Sequence, residues 1–139
     1  MKFTASTKKN NVKRDWYLID VGNKILGRSA SEIAQLLMGK KKSYFVRNMD
    51  CGDFVVVINA KNVKVTGKKE IAKKYYRHSG FPGGFKADTL QELRARKPKD
   101  IIKHAVSGML PQNKLKATML KRLYIFPETQ HTYQDKFKS

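Results

Sequence analysis

The sequence predicts an α/β domain built round a small, mainly parallel sheet. Three observations carry that expectation. Stretches rich in aromatic and branched residues alternate with stretches of helical spacing, the pattern of strands joined by helices. Phe54-Val55-Val56-Val57-Ile58 is an unbroken apolar run between Asp53 and Asn59, and a strand that does not alternate has both faces covered, as in the middle of a parallel sheet. Finally, 139 residues fit one domain, and no internal repeat or low-complexity linker divides residues 1–139. The strand order does not follow from this pattern.

Residues 1–13 are polar and basic and read as an arm. Trp16-Tyr17-Leu18-Ile19-Asp20-Val21 reads as the first strand, with Gly22-Asn23-Lys24 as a turn. Over residues 28–38, Ala30, Ile33, Ala34, Leu37 and Met38 fall on one helical face. Gly39 stops that helix, and Lys40, Lys41 and Lys42 follow where cations suit its negative end. Asp50-Cys51-Gly52-Asp53 is a turn-like loop before the central strand. Val63 and Val65 begin a shorter extended piece that turns at Gly67, and Tyr75 and Tyr76 lie in another. Thr89-Leu90-Gln91-Glu92 has capping-box spacing and opens a short helix. Pro98 suits the first turn of the next helix, where Ile102, Ala105, Val106 and Met109 share a face and Gly108 and Pro111 end it. Leu115 to Leu123 reads as a last basic helix and Tyr124-Ile125-Phe126 as a last strand. Residues 127–139 read as a polar, loosely held tail.

Charge is the first clue to function. The chain carries 30 Lys and Arg against 11 Asp and Glu, a formal charge of +19. Hydrophobic residues make up 40%, so this is a folding domain and not a disordered basic segment. Self-repulsion at such a charge opposes compaction unless a polyanion neutralises it, and nucleic acid is the favoured polyanion. No stretch approaches the roughly 20 apolar residues of a spanning helix, so no membrane partner is expected. The first residues, MKFTASTKKNNVKRD, contain no apolar segment of signal-peptide type. Cys51 is the only cysteine and forms neither an internal disulfide nor a cysteine-based zinc site. The expectation is a reducing, cytoplasmic compartment.

Enzymatic motifs are weak. Gly22-Asn23-Lys24-Ile25-Leu26-Gly27-Arg28-Ser29 approximates the phosphate-binding loop G-x-x-x-x-G-K-S/T between a strand and a helix. Arg28 replaces the lysine, Ile25 and Leu26 look like core anchors, and Asn59 leaves no acid at the tip of the second strand. A small nucleotide hydrolase is therefore kept only as an alternative, although the helix start with Arg28 suits one RNA phosphate. Asp50 and Asp53 fit turn capping better than a metal or catalytic pair. His78, His104 and His131 lack metal-ligand spacing. No catalytic residue, cofactor, metal or small-molecule substrate is expected.

The basic clusters are more informative. Residues 61–86 hold Lys61, Lys64, Lys68, Lys69, Lys73, Lys74, Arg77 and Lys86 with Glu70 as the acid opposed. Within them lies Tyr75-Tyr76-Arg77-His78-Ser79-Gly80-Phe81-Pro82-Gly83-Gly84-Phe85-Lys86. Its cations suit phosphates and its rings suit unpaired bases, while Gly83 and Gly84 allow close backbone approach. The candidate RNA-binding residues form three groups. Arg28, Lys40, Lys41, Lys42 and Arg47 make the first. Lys68, Lys69, Tyr76, Arg77, His78, Gly83, Gly84 and Lys86 make the second, and Lys114, Lys121 and Arg122 the third. A regulator that binds free RNA is the other alternative.

From Arg14 to Phe126 the chain resembles the large-subunit ribosomal protein L-thirteen family, in its bacterial or organellar form. The resemblance rests on Trp16-Tyr17-Leu18-Ile19-Asp20, Leu26-Gly27-Arg28-Ser29-Ala30-Ser31 and Asp50-Cys51-Gly52-Asp53-Phe54-Val55-Val56-Val57-Ile58-Asn59-Ala60, in that order. Val65-Thr66-Gly67-Lys68-Lys69, Tyr75-Tyr76-Arg77-His78-Ser79-Gly80, Pro82-Gly83-Gly84 and Gly108-Met109-Leu110-Pro111 continue it. It implies a three-layer α/β/α fold with a four-stranded parallel sheet and basic loop extensions. It also implies binding to large-subunit rRNA, neighbouring ribosomal proteins as partners, and a part in early subunit assembly. The chain departs from the family pattern at Val46, where a proline is expected, and at Lys116, where a glycine is expected. From Glu128 onward it lacks a His/Ala-rich run.

Overall fold

The structure, a computed structural model, describes residues 6–137. The first five residues of the expected arm, and residues 138 and 139 of the tail, lie outside the described residues. In chain order the elements are β1 (Trp16–Asp20), α1 (Leu26–Met38), β2 (Phe54–Ile58), α2 (Lys69–Ala72), β3 (Lys74–His78), β4 (Phe85–Thr89), α3 (Leu90–Arg96), α4 (Pro98–Met109), α5 (Leu115–Leu120) and β5 (Leu123–Ile125). Short 3-10 turns sit at Lys9–Asn11, Ala60–Asn62 and Gln134–Lys136.

The apolar run Phe54–Ile58 is the centre of the sheet, as expected. β1, β2 and β5 lie side by side in that order, all parallel. Trp16 is opposite Phe54, and Val56 is opposite Tyr124. Strand side chains alternate between faces, so Ile19, Val55 and Val57 point to one side. There they join Ala30, Ile33, Ala34 and Leu37 of α1, Leu90 and Leu93 of α3, Ile102 and Val106 of α4, and Met119 of α5 in one core. Each fully buried Val, Leu or Ile in it is stabilising by about 1.5–3 kcal/mol relative to exposure.

The expected four-stranded sheet is corrected to three strands. Lys64 forms only an isolated parallel bridge with Ile25. Its N–H donates to Lys24 and its carbonyl accepts from Leu26, each at 2.8 Å. Gly67, at φ 65°, then turns the chain away before a ladder extends. The next strand pair, β3 and β4, is antiparallel and forms its own two-stranded sheet.

The second helical layer is also corrected. The sheet face opposite the helices carries Trp16, Phe54 and Tyr124, and the C-terminal segment covers it. Trp16 stacks on Phe54 at 4.5 Å and on Tyr124 at 5.9 Å. Tyr133 lies over both Trp16 and Tyr124, at 5.3 and 4.4 Å. The tail is therefore held, not loose. The Asn59 N–H donates to the Glu128 carbonyl at 3.2 Å, and the Thr129 hydroxyl bonds Asn59 Oδ1 at 3.0 Å. Three aromatic rings give this face enough apolar area to recruit Tyr133 and its segment without helical periodicity.

Local signals set the helix ends. Gly39 adopts φ 77°, and its N–H donates to the carbonyls of Gln35 and Leu36, closing α1 with a left-handed cap. Thr89 caps α3 through a complete capping box with Glu92. Pro98 opens α4. Gly108 does not end that helix, which runs to Met109 before Pro111 stops it. The basic helix ends at Leu120, and the last strand begins at Leu123.

Candidate nucleic-acid interface

The cations divide into those used inside the fold and those left outside. The loop Asp50–Asp53 packs directly on the end of α1. A Cβ on Gly52 would stand 1.7 Å from the Leu37 carbonyl oxygen, so only glycine allows this approach. The approach brings two carboxylates against buried cations. Arg122 is only 6% exposed. It grips both Asp50 carboxylate oxygens, Oδ1 at 2.5 Å, and donates to the carbonyls of Asp53 and Leu37 at 3.2 Å each. Lys42 binds the Asp53 carboxylate, which also accepts the Asp15 N–H at 3.0 Å. Arg14 donates to the carbonyls of Gly52 and Asp50 at 2.6 and 3.1 Å. Nearby, the Thr7 hydroxyl and the Lys13 N–H fasten the arm to Tyr44.

Burial pushes the Asp50 carboxyl upward, but the hydrogen bonds and charge of Arg122, with Arg14 beyond, outweigh it and hold the group below its ordinary value. Burial likewise pulls the Lys42 ammonium down, and Asp53 more than offsets this, leaving it above its ordinary value. Asp50 does cap its turn, accepting from the Gly52 N–H at 3.3 Å. Its larger partner, however, is an arginine 72 residues away. Lys42 and Arg122 are thus turned inward, against the outward placement expected from charge runs alone.

The remaining candidates lie at the surface. Arg28, Lys40, Lys41, Arg47, Lys68, Lys69, Arg77, His78, Lys86, Lys114 and Lys121 are all exposed. Their grouping changes. Arg28 sits at the start of α1 and Lys40 just past its end, about 18 Å apart by helical rise. Gly27, the residue before Arg28, lines a cleft with Lys69, Lys73 and His104, so the start of α1 borders the second group. Lys40 and Arg47 line another cleft with Met119 and Asn113, so the first group borders Lys114 of the third.

The β3–β4 hairpin projects from a firm base. Tyr75 packs on the core and meets the His104 ring at 5.4 Å. Arg94 clamps Glu70 with two bonds of 2.9 and 3.0 Å and donates to the carbonyls of Lys61 and Val63. Sequence reasoning missed this arginine, because its partners lie 24 to 33 residues away. Arg96 binds Asp88 at 2.5 Å, with Arg77 at 3.7 Å from the same oxygen. At the tip, Gly80 and Gly83 adopt positive φ. The Gly80 N–H donates to His78 Nδ1 at 2.9 Å, and the Gly84 N–H to the Phe81 carbonyl at 3.0 Å. Arg77, His78, Gly83, Gly84 and Lys86 line one shallow pocket there. Sequence reasoning credited the rings of this stretch as a group but named only Tyr76 as a candidate; Phe81 and Phe85 are exposed as well, and Phe85 stacks beside Tyr76. The register, with His78 opposite Phe85 and Tyr76 opposite Ala87, puts Phe85 on the face of Tyr76.

Gly22–Ser29 does not form a phosphate cradle. The N–H groups of Gly22, Asn23, Lys24 and Leu26 already donate to Asp20, Asn62, Val21 and Lys64. Asn59 bonds Asp20 at 2.8 Å, and Glu128 and Thr129 cross the same strand ends, where doubly wound folds bind nucleotides. Among the described residues, no group of three His, Cys, Asp or Glu could hold a metal ion. No helix among them is long and apolar enough to cross a membrane.

The family profile for ribosomal protein L13 matches residues 14–132. The chain belongs to that family. Curated members named large ribosomal subunit protein uL13 match over nearly its whole length. The Geobacter sulfurreducens protein is 51% identical over 134 residues, covering 96% of this chain and 94% of that one. The Dehalococcoides mccartyi protein is 49% identical over 130 residues, covering 94% and 91%. The Syntrophotalea carbinolica protein is 48% identical over 130 residues, covering 94% and 92%. The matched span of the L13 family profile takes in the buried Asp50–Arg122 pair and the whole β3–β4 hairpin.

Proposed function

We propose that this protein is a structural constituent of the large ribosomal subunit, fastened to rRNA by exposed cations on a rigid α/β body. One observation carries the reading. Five of the eleven acids are answered within the fold: Asp50, Asp53, Glu70, Asp88 and Glu128 each pair with a base of the same chain. Far more cations than acids therefore remain outside, on Arg28, Lys40, Lys41, Arg47, Lys68, Lys69, Lys86, Lys114 and Lys121, with Arg77 held only by the 3.7 Å contact to Asp88 that Arg96 shares. Membership of a family whose relatives are named for the large subunit agrees with this.

The mechanism is architectural. Phosphate contacts release counterions and supply affinity, and RNA shape with the fixed spacing of the basic loops supplies location. Folded rRNA and adjoining large-subunit proteins are the partners, and the cytoplasmic ribosome is the place of action. Early binding during subunit assembly follows if the protein recognises rRNA without help from other proteins. The test is a titration of the purified chain with large-subunit rRNA at several salt concentrations. A log–log slope several units negative is expected. A flat response, or absence of the chain from large-subunit fractions of a sucrose gradient, overturns the proposal.

A further inference from the structure

The β3–β4 hairpin exposes three large aromatic side chains that the fold does not use. Tyr76 is 67% exposed, Phe81 74% and Phe85 61%. Tyr76 and Phe85 are offset-stacked, with centroids 5.7 Å apart and planes within 21°. The register explains their meeting. His78 is opposite Phe85 and Tyr76 is opposite Ala87, so Lys74, Tyr76, His78, Phe85 and Ala87 share one face. Tyr75 is on the reverse face and anchors the hairpin to the core. The outward face therefore carries the rings while the inward face carries the anchor.

We propose that Tyr76 and Phe85 form a stacking platform for an unpaired RNA base, with Phe81 at the tip as a second apolar contact. This rests on the rRNA-binding reading and adds to it a site that recognises base planes, where the cations recognise phosphates. Clustered exposed rings mark a binding surface. Charge selects the occupant. Lys74 and His78 flank the rings on their own face, and Arg77 and Lys86 lie just behind. The hairpin's acid, Asp88, is held by Arg96 and Arg77. The core of a protein interface is depleted of charge, whereas aromatic rings set among cations are the pattern that binds single-stranded nucleic acid. The tip is already shaped by its own hydrogen bonds at His78 and Gly84, so the platform needs little ordering on binding.

The test uses the full chain and large-subunit rRNA substituted with 4-thiouridine. In the double variant Tyr76→Leu with Phe85→Leu, apolar bulk is kept and the ring faces are lost. A drop in affinity of about 5- to 100-fold, with the salt slope unchanged and photocrosslinks on the Tyr76 or Phe85 peptides in the native chain, is the expected result. If the native chain binds with a steep salt slope and the folded double variant binds equally well, the platform is refuted while phosphate-driven binding stands. If the native chain shows no salt-dependent binding, the rRNA reading itself fails and the platform with it. Crosslinks from these peptides to a ribosomal protein in the intact particle, and none to RNA, also refute the platform. Tyr76→Trp guards against misfolding of the double variant. Its larger ring should hold or raise affinity, and a loss in that folded variant counts against the proposal.

Discussion

Arg122 and Asp50 form a two-pronged ion pair at the end of α1, with side chains 7% and 11% exposed. The arginine serves the fold as a bolt: it ties the start of β5 to the loop before β2 and to the last turn of α1. Losing one member of a buried pair leaves the other charge uncompensated. Arg122→Met should destabilise the protein by about 3–5 kcal/mol, read as a fall in the urea midpoint. Adding Asp50→Asn should restore a large part of the loss. If the single variant is as stable as the native chain, the pair contributes nothing to folding.

The same cluster sets a pH window. The Asp50 carboxyl is held below 3.8, so its contribution is complete above that value and disappears as pH falls through the lower folded one. The Lys42 ammonium is held above 10.5. Its contribution is complete below that value and disappears as pH rises through the higher folded one. Urea midpoints should form a plateau between these limits. Asp50→Asn should flatten the acid limb and leave the alkaline limb in place, and an unchanged acid limb would remove Asp50 from the account.

Lys68, Lys69 and Arg77 are exposed, and Arg77 touches Asp88 only at 3.7 Å. Changing all three to Ala should keep the melting temperature and reduce the magnitude of the salt slope for rRNA by about one unit per lost phosphate contact. Arg122 provides the contrast. Where Arg122→Met still folds, the slope should stay as it is. Equal slopes for the native and triple variant chains would take this segment out of the interface.

Trp16 is the single tryptophan, and Tyr133 covers it. A chain ending at Pro127 should show red-shifted tryptophan emission. It should also lose at least about 2 kcal/mol of stability, from one aromatic side chain's burial and ring contacts. Unshifted emission would mean that the last segment does not cover the sheet in solution.

Features written in local chemistry were legible in the sequence. Phe54–Ile58 announced a strand covered on both faces, Thr89 with Glu92 announced a helix start, and Pro98 announced the next. Features set by distant partners were not. The inward positions of Lys42 and Arg122 depend on Asp53 and Asp50, and nothing next to either cation reveals that pairing. β4 was missed because Phe85-Lys86-Ala87-Asp88-Thr89, although it alternates, is short and holds the strand-poor residues Lys, Ala and Asp; its partner strand defines it. The tail read as loose because Trp16, which Tyr133 covers, belongs to a strand more than one hundred residues earlier. At the candidate site, the cations of the hairpin were visible by composition. The pairing of Tyr76 with Phe85 required the register.

The central strand β2 takes its two neighbours from opposite ends of the chain, β1 before it and β5 near the close. A ribosome making this protein releases β2 long before β5. Throughout that interval one border of Val55-Val56-Val57 has nothing to hydrogen-bond, and Asp50 has Arg14 but not the two-pronged grip of Arg122. Closure of the domain is thus an event of the last moments of synthesis. Chains stalled before Arg122 should clump or be taken up by chaperones, whereas chains only a few residues longer have everything needed to shut.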